Sequence, residues 1–218
     1  YSMERNYENT LESFISLKGF LSQKVEEQSK DDFLTFVKLM APSIVSDFKM
    51  GNHIKVISNK LKELEEGKIK RLMVFLPPRS SKSVLCSKLF PAWYIGRHPE
   101  HEILTVSHSD QLSSDFGRSV RDVVSTEEFQ KMCSGGHLCS DVRAAGKWKT
   151  NQGGMYYAAG VRSQMCVRGA HRWIRDDVMS EDDSYSDAGR EFIKERSPAA
   201  LRTRMWLSLC VISEPGIR

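Results

Sequence analysis

The sequence predicts an α/β fold in which a mainly parallel sheet is flanked by helices, with an N-terminal helical segment and a β-hairpin insertion. Three observations predict it. Apolar residues of the first third recur at helical spacing. From Lys70 onward, short apolar runs alternate with helical stripes, the order that a parallel sheet produces. Asn151-Gln152-Gly153-Gly154 then separates two short strand-like runs in the manner of a hairpin turn. With 218 residues, 40% of them hydrophobic, the chain can bury one sizeable core. The expected division is a helical, lid-like lead-in over residues 1–68 and an α/β core over residues 69–218.

Taken in order, Leu11, Phe14, Ile15, Leu17, Phe20 and Leu21 suggest a short amphipathic helix or a flexible lead-in. Phe33, Phe36, Val37 and Met40 make a second helical stripe that should end near Pro42, because proline removes a backbone donor. Ile54, Ile57, Leu61 and Leu64 make a third, running to Gly67. Leu72 to Leu76 reads as a strand, Lys82 to Tyr94 as a helix and Ile103 to Ser107 as a second strand. Leu112, Phe116 and Val120 at spacing four mark the next helix, and Ser125 with Glu128 a capping box for a short one after it. Lys147 to Thr150 and Met155 to Val161 form the hairpin, Trp173-Ile174 leads into Asp176-Asp177, Ser184 to Arg196 supports a helix and Trp206 to Ile212 a last strand.

Composition narrows the function classes. No apolar stretch approaches the roughly 18 residues of a membrane span, and the N-terminus lacks signal-peptide character, so a soluble, cytosolic chain is expected. Five cysteines without a C-x-x-C pair argue for free thiols; Cys133, His137 and Cys139 supply at most three ligands of a metal site that needs four. A formal charge of +4 permits contact with a polyanion without demanding it.

The chemistry concentrates at Arg71-Leu72-Met73-Val74-Phe75-Leu76-Pro77-Pro78-Arg79-Ser80-Ser81-Lys82-Ser83. A strand, a tight turn and a helix start deliver backbone N–H groups and a positive helix end to one point, where Lys82 can reach terminal phosphates and Ser83 a magnesium ion. Lysine in a first helical turn is electrostatically unfavourable without an anion beside it, and Arg79 adds a planar fork suited to phosphate oxygens. Either residue is otherwise a solvated surface cation. Phosphoryl transfer also needs an acidic pair at the same sheet edge. Asp176-Asp177 is the candidate, with Asp176 on magnesium and Asp177 activating water; the alternative is an acidic surface turn that continues through Glu181, Asp182 and Asp183.

Several segments together resemble the ATPase half of the large terminase subunit, the motor that packages double-stranded DNA into tailed-phage heads. They are Phe33 to Lys38, Lys70 to Ser83, Phe90-Pro91-Ala92-Trp93 with Gly96-Arg97, Phe116-Gly117-Arg118 with Val120-Arg121, Ala144 to Trp148 with Thr150 to Gly154, Tyr156 to Val161, Arg168-Gly169-Ala170, and Asp176-Asp177 with Ser180-Glu181. The resemblance implies a P-loop NTPase-like fold and hydrolysis of ATP with Mg2+. It places Pro78, Arg79, Ser80, Ser81, Lys82 and Ser83 around the phosphates, Ser83 and Asp176 on the metal, Asp177 as the catalytic carboxylate and Arg168 as an arginine acting on a neighbouring subunit's nucleotide. It further implies a homo-oligomeric ring docked on the procapsid portal in the host cytoplasm, with double-stranded DNA, the portal protein and the small terminase subunit as partners. The family's nuclease domain would begin beyond Arg218.

Four features depart from the family pattern. Ser81 stands where glycine is frequent, and a left-handed backbone there costs about 1 kcal/mol. Val167 also replaces a usual glycine. Arg172 and Arg175 occupy a strand that should have no wet face for a cation. Beyond Met205 the family's turn and coupling strand are not legible. These departures keep open a degenerate or truncated relative that binds nucleotide or DNA without turnover. A sulfotransferase-like enzyme, whose phosphosulfate loop resembles Pro78-Arg79-Ser80-Ser81, is a further alternative.

Overall fold

Helices α2 (Phe33–Ile44) and α3 (Asn52–Glu65) place the predicted apolar stripes against the body of the molecule: Phe33, Phe36, Val37, Met40, Ile54, Leu61 and Leu64 are all buried. The computed structural model describes residues 21–133, 135–163, 170–180, 183, 185–189 and 191–192, and the backbone of residues 209–210. The helix expected around Leu11 to Leu21 therefore lies mostly outside the described residues; 21–31 is helical (α1). Asp32 caps α2 by accepting from the Thr35 N–H and hydroxyl at 3.0 and 2.8 Å. As expected, α2 ends near Pro42, at Ile44; the proline sits in the last turn, where it removes a single donor. Gly67, at φ +74°, turns the chain out of α3 in a conformation that glycine adopts without steric cost.

The sheet is mixed and open. Its strands β1 (Glu102–Ser107), β2 (Leu138–Ala144), β3 (Lys147–Thr150), β4 (Met155–Gly160), β5 (Arg172–Arg175) and β6 (Leu209–Cys210) run in the spatial order β2-β3-β4-β1-β5-β6. β1 is parallel to both β4 and β5, and β5 to β6, while β2 and β3 add antiparallel edges. The hairpin at residues 151–154 falls where the sequence puts it. β2 has no counterpart among the elements expected from the sequence; its alternation is weak, with four of its seven residues exposed and Leu138, Cys139 and Val142 partly buried.

Alternation along β1, β4 and β5 sorts two apolar clusters onto opposite faces. Ile103, Tyr156 and Ile174 join the large cluster beneath the helices, whereas Leu104, Val106, Tyr157, Ala159 and Trp173 form a second one. Both faces are covered, as a central parallel strand requires. The large cluster also holds Phe33, Phe36, Ile54 and Leu61, with Phe33 packed on Trp93 at 5.1 Å between ring centroids, so the front helices share their interior with the sheet.

Three expected local features are corrected. Residues 71–77 have no regular secondary structure and pair with no strand among the described residues, so Leu72 to Leu76 is not part of the sheet; Val74 is buried while Met73 and Phe75 stay more than half exposed. The helix after the turn begins at Lys82 but is π-helical over Val84–Leu89 before α4 (Phe90–Arg97). Pro91 lies just beyond the π segment, and the wide turn, with the Phe90 N–H donating to the Leu85 carbonyl, accommodates a ring that would crowd a regular turn. Helix α6 (Glu127–Met132) follows α5 (Asp110–Val124) and is capped by Thr126, one residue later than expected, whose hydroxyl accepts from the Phe129 N–H at 3.2 Å.

The two arginines of β5 are buried, at 2% exposure for Arg172 and 7% for Arg175. Arg172 solves its problem at the strand's start rather than on a wet face. Its Nη2 donates to the carbonyls of Leu64 and Glu65 at the C-terminus of α3, at 3.3 and 3.2 Å, and its Nη1 to the His171 carbonyl at 3.0 Å. These are carbonyls that a helix end leaves without intrahelical partners, and they carry the negative end of its dipole. The guanidinium also lies 4.5 Å from the Tyr94 ring centroid.

Candidate functional site

The turn expected to cradle phosphates has two residues in the left-handed region, Arg79 at φ 62° and Ser81 at φ 59°. The left-handed backbone foreseen as a cost at Ser81 is thus what the chain adopts. Left-handed residues in a tight turn direct successive N–H groups inward, the arrangement of an anion-binding nest. Pro78 and Arg79 are exposed, Ser80, Ser81 and Ser83 half-buried, and Lys82 buried. The Leu85 N–H donates to the Ser81 carbonyl at 3.0 Å, which fixes the turn to the helix start.

Asp176 follows β5, beside the C-terminal end of β1, and its N–H donates to the Val106 carbonyl at 3.0 Å. Lys82 Nζ lies 3.2 Å from Asp176 Oδ1, with the two side chains only 10% and 1% exposed. Ser87 Oγ donates to Asp176 Oδ2 at 2.7 Å. Lys82 and Ser87 are five residues apart, which an α-helix would rotate about 140° from each other. The π-helical segment brings both onto one carboxylate. Such segments are frequent at functional sites, and this one does local work by aligning two donors.

The sequence pairs Lys82 with Asp176, and the structure brings the two together; the π turn has no sign in the sequence, Ser87 is not singled out, and Cys86 is read there only as one of the free thiols. Cys86 is fully buried beside the pair, and burial, then the Asp176 charge, pushes its thiol well above the ordinary range, so it contributes packing rather than a nucleophile. A lone hydroxyl and thiol within an apolar helix stripe carry no signal until the partner carboxylate is known.

Asp177 is exposed and left-handed, at φ 53°. Its carbonyl accepts from the His108 N–H at 2.8 Å and faces His108 Nδ1 at 3.0 Å, while its carboxylate stands 3.7 Å from the same ring nitrogen. His108 was not anticipated; its position just beyond β1, at the edge where parallel strands present functional groups, was the available signal. The acidic pair therefore splits, one carboxylate buried on Lys82 and the other turned to solvent beside a histidine. That excludes the reading of both as an ordinary surface turn. Arg168 and Val167 lie outside the described residues.

The donors suit a hard cation. Asp176 Oδ1 is buried and has no hydrogen-bond donor, only the Lys82 ion pair, and the Ser83 hydroxyl engages no partner among the described residues. Carboxylate and hydroxyl oxygens are what magnesium prefers. Cys133, His137 and Cys139 do not converge; the His/Cys/Asp/Glu group that does, among the described residues, is His98, Glu100 and His101. No helix of the described residues is long and apolar enough to cross a membrane. Neither a protein-family model nor a curated protein matches the chain.

Proposed function

We propose that this chain is the ATP-hydrolysing motor domain of a viral large terminase, with a P-loop NTPase-like core that drives double-stranded DNA into a procapsid. The observation that carries this reading is the convergence of Lys82 Nζ and Asp176 Oδ1 at 3.2 Å, beside a turn whose backbone is left-handed at Arg79 and Ser81. A solvated lysine and a surface acidic turn have no reason to meet in a buried site.

In this reading Lys82 exchanges Asp176 for the terminal phosphates, whose charge it neutralises, and the turn's N–H groups from Arg79 to Ser83 hold the remaining oxygens, with Pro78 shaping the entry to the turn and the Arg79 side chain at the rim. Asp176 and Ser83 would hold Mg2+, which supplies charge neutralisation across the β and γ phosphates when bound. Asp177 accepts a proton from the attacking water, and His108 fixes the backbone that presents it. Arg168 serves a neighbouring subunit of a homo-oligomeric ring, whose partners would be the portal protein, the small terminase subunit and DNA phosphates, contacted without sequence preference.

The test is phosphate release with magnesium-ATP by the chain and by Lys82→Ala and Asp176→Asn. Release that falls to background in both variants supports the reading; equal rates in all three discard it. A relative that binds nucleotide without turnover is favoured by one observation, the ties of Asp176 to both Lys82 and Ser87 that a metal must break. Thermal protection by magnesium-ATP without phosphate release would identify it.

A further inference from the structure

We propose that His98, Glu100 and His101 form a binding site for a divalent transition cation of the zinc, nickel or cobalt class, at the sheet edge opposite Lys82 and Asp176. The three residues occupy the turn between α4 and β1, and one donor atom from each lies within 4.8 Å of the others. β1 alone separates this edge from the other by roughly 17 Å. The site is independent of the ATPase reading.

Each imidazole has one nitrogen committed to an oxygen behind it. His98 Nε2 faces Glu65 Oε1 at 2.8 Å, and His101 Nδ1 faces the Tyr94 hydroxyl at 2.7 Å. This is the outer arrangement that orients metal-binding histidines: the Glu65 carboxylate accepts from His98 Nε2–H, and the Tyr94 hydroxyl serves His101 in the same way when it accepts from Nδ1–H. The remaining donors are His98 Nδ1 and His101 Nε2, and the latter already lies 3.4 Å from Glu100 Oε1. His171 braces the group without joining it. Its ring stacks on His101 at 4.0 Å and 4°, and its Nδ1 accepts from the Glu102 N–H at 3.0 Å, which leaves Nε2 protonated.

The turn is held rigid from outside. The Pro99 carbonyl accepts from the Gly154 N–H at 3.0 Å and from the Thr150 hydroxyl, the His101 carbonyl accepts from the Met155 N–H at 3.2 Å, and the His101 N–H donates to the His98 carbonyl at 3.0 Å. A side chain at position 154 would stand 2.2 Å from the Pro99 carbonyl oxygen, so glycine there permits the approach. Both histidine side chains are about 30% exposed, at 30% and 27%, so an ion can enter; their rings stack parallel within 6° at 4.8 Å, so one ring tilts for both in-plane lone pairs to meet a single ion. Glu100, at 57%, is the side chain that swings in to close the site. Two imidazoles and a carboxylate, without thiolate, suit zinc, nickel or cobalt rather than magnesium or calcium.

Titration of the full chain with Co2+ or Zn2+ tests this by calorimetry and by visible ligand-field absorption. One ion per chain is expected, with affinity unchanged by excess Mg2+. Glu100→Gln, at an exposed position, and Tyr94→Phe, which removes only the outer hydroxyl, should each weaken binding about tenfold or more with the fold retained by circular dichroism. His98→Asn with His101→Asn should abolish it. No binding by the parent chain, or equal binding by folded Glu100→Gln and Tyr94→Phe variants, overturns the proposal.

Discussion

The ammonium of Lys82 and the carboxylate of Asp176 form a buried ion pair of 3.2 Å that joins the start of one helix to the end of a parallel strand. It supplies the anion that a lysine in a first helical turn requires, so the structure satisfies by an internal carboxylate the electrostatic demand that the sequence assigns to phosphate.

A double-mutant cycle measures this pair. Removing one partner strands a buried charge, so Lys82→Met and Asp176→Asn should each lower unfolding free energy by about 3 kcal/mol. The double variant should cost well below the sum, because neither charge is left alone. Chemical denaturation of the four proteins checks it; additive losses would mean that the two groups do not interact across the gap.

Ser81 offers a cleaner probe of the turn. At φ 59°, any Cβ is strained by about 1 kcal/mol relative to glycine. Ser81→Gly and Ser81→Ala both remove the hydroxyl, so their difference isolates the backbone. Ser81→Gly is expected to unfold at higher denaturant than Ser81→Ala, by about 0.5 kcal/mol after glycine's greater unfolded-chain entropy. Equal midpoints would show that the turn has relaxed away from the left-handed region.

What was legible in the sequence follows a physical division. Local periodicity gives α2, α3, α5, the hairpin and β1, because each buries one recurrent face. Lys82 and Asp176 are legible as a pair because a parallel sheet brings its strand ends to one edge. Ser87, His108 and the histidine group are not, since each acquires meaning only from a partner distant in sequence. The π turn is invisible for a related reason: its apolar residues suit either helix, and only Pro91 hints at an interruption. Leu72 to Leu76 shows the converse, an apolar run with strand character that finds no ladder among the described residues.

Arg172 turns an apparent defect into a helix cap, and this can be measured. Its Nη2 reaches the Leu64 and Glu65 carbonyls and its Nη1 the His171 carbonyl, the guanidinium lies over the Tyr94 ring, and burial pushes its pKa below the ordinary value. Lysine keeps the charge but presents a compact ammonium that cannot reach the two helix-end carbonyls and the His171 carbonyl together while also lying over the ring. Arg172→Lys is therefore expected to destabilise the fold by about 1–3 kcal/mol, through lost carbonyl contacts, the Leu64 carbonyl keeping its bond from the Gly67 N–H, and a charge less well matched. Arg172→Met keeps much of the side chain's apolar contact and buries no charge, so it should cost less than lysine does. Denaturation midpoints of the three proteins decide the matter. If lysine proves the milder change, charge alone satisfies the end of α3 and the planar geometry at Tyr94 contributes nothing.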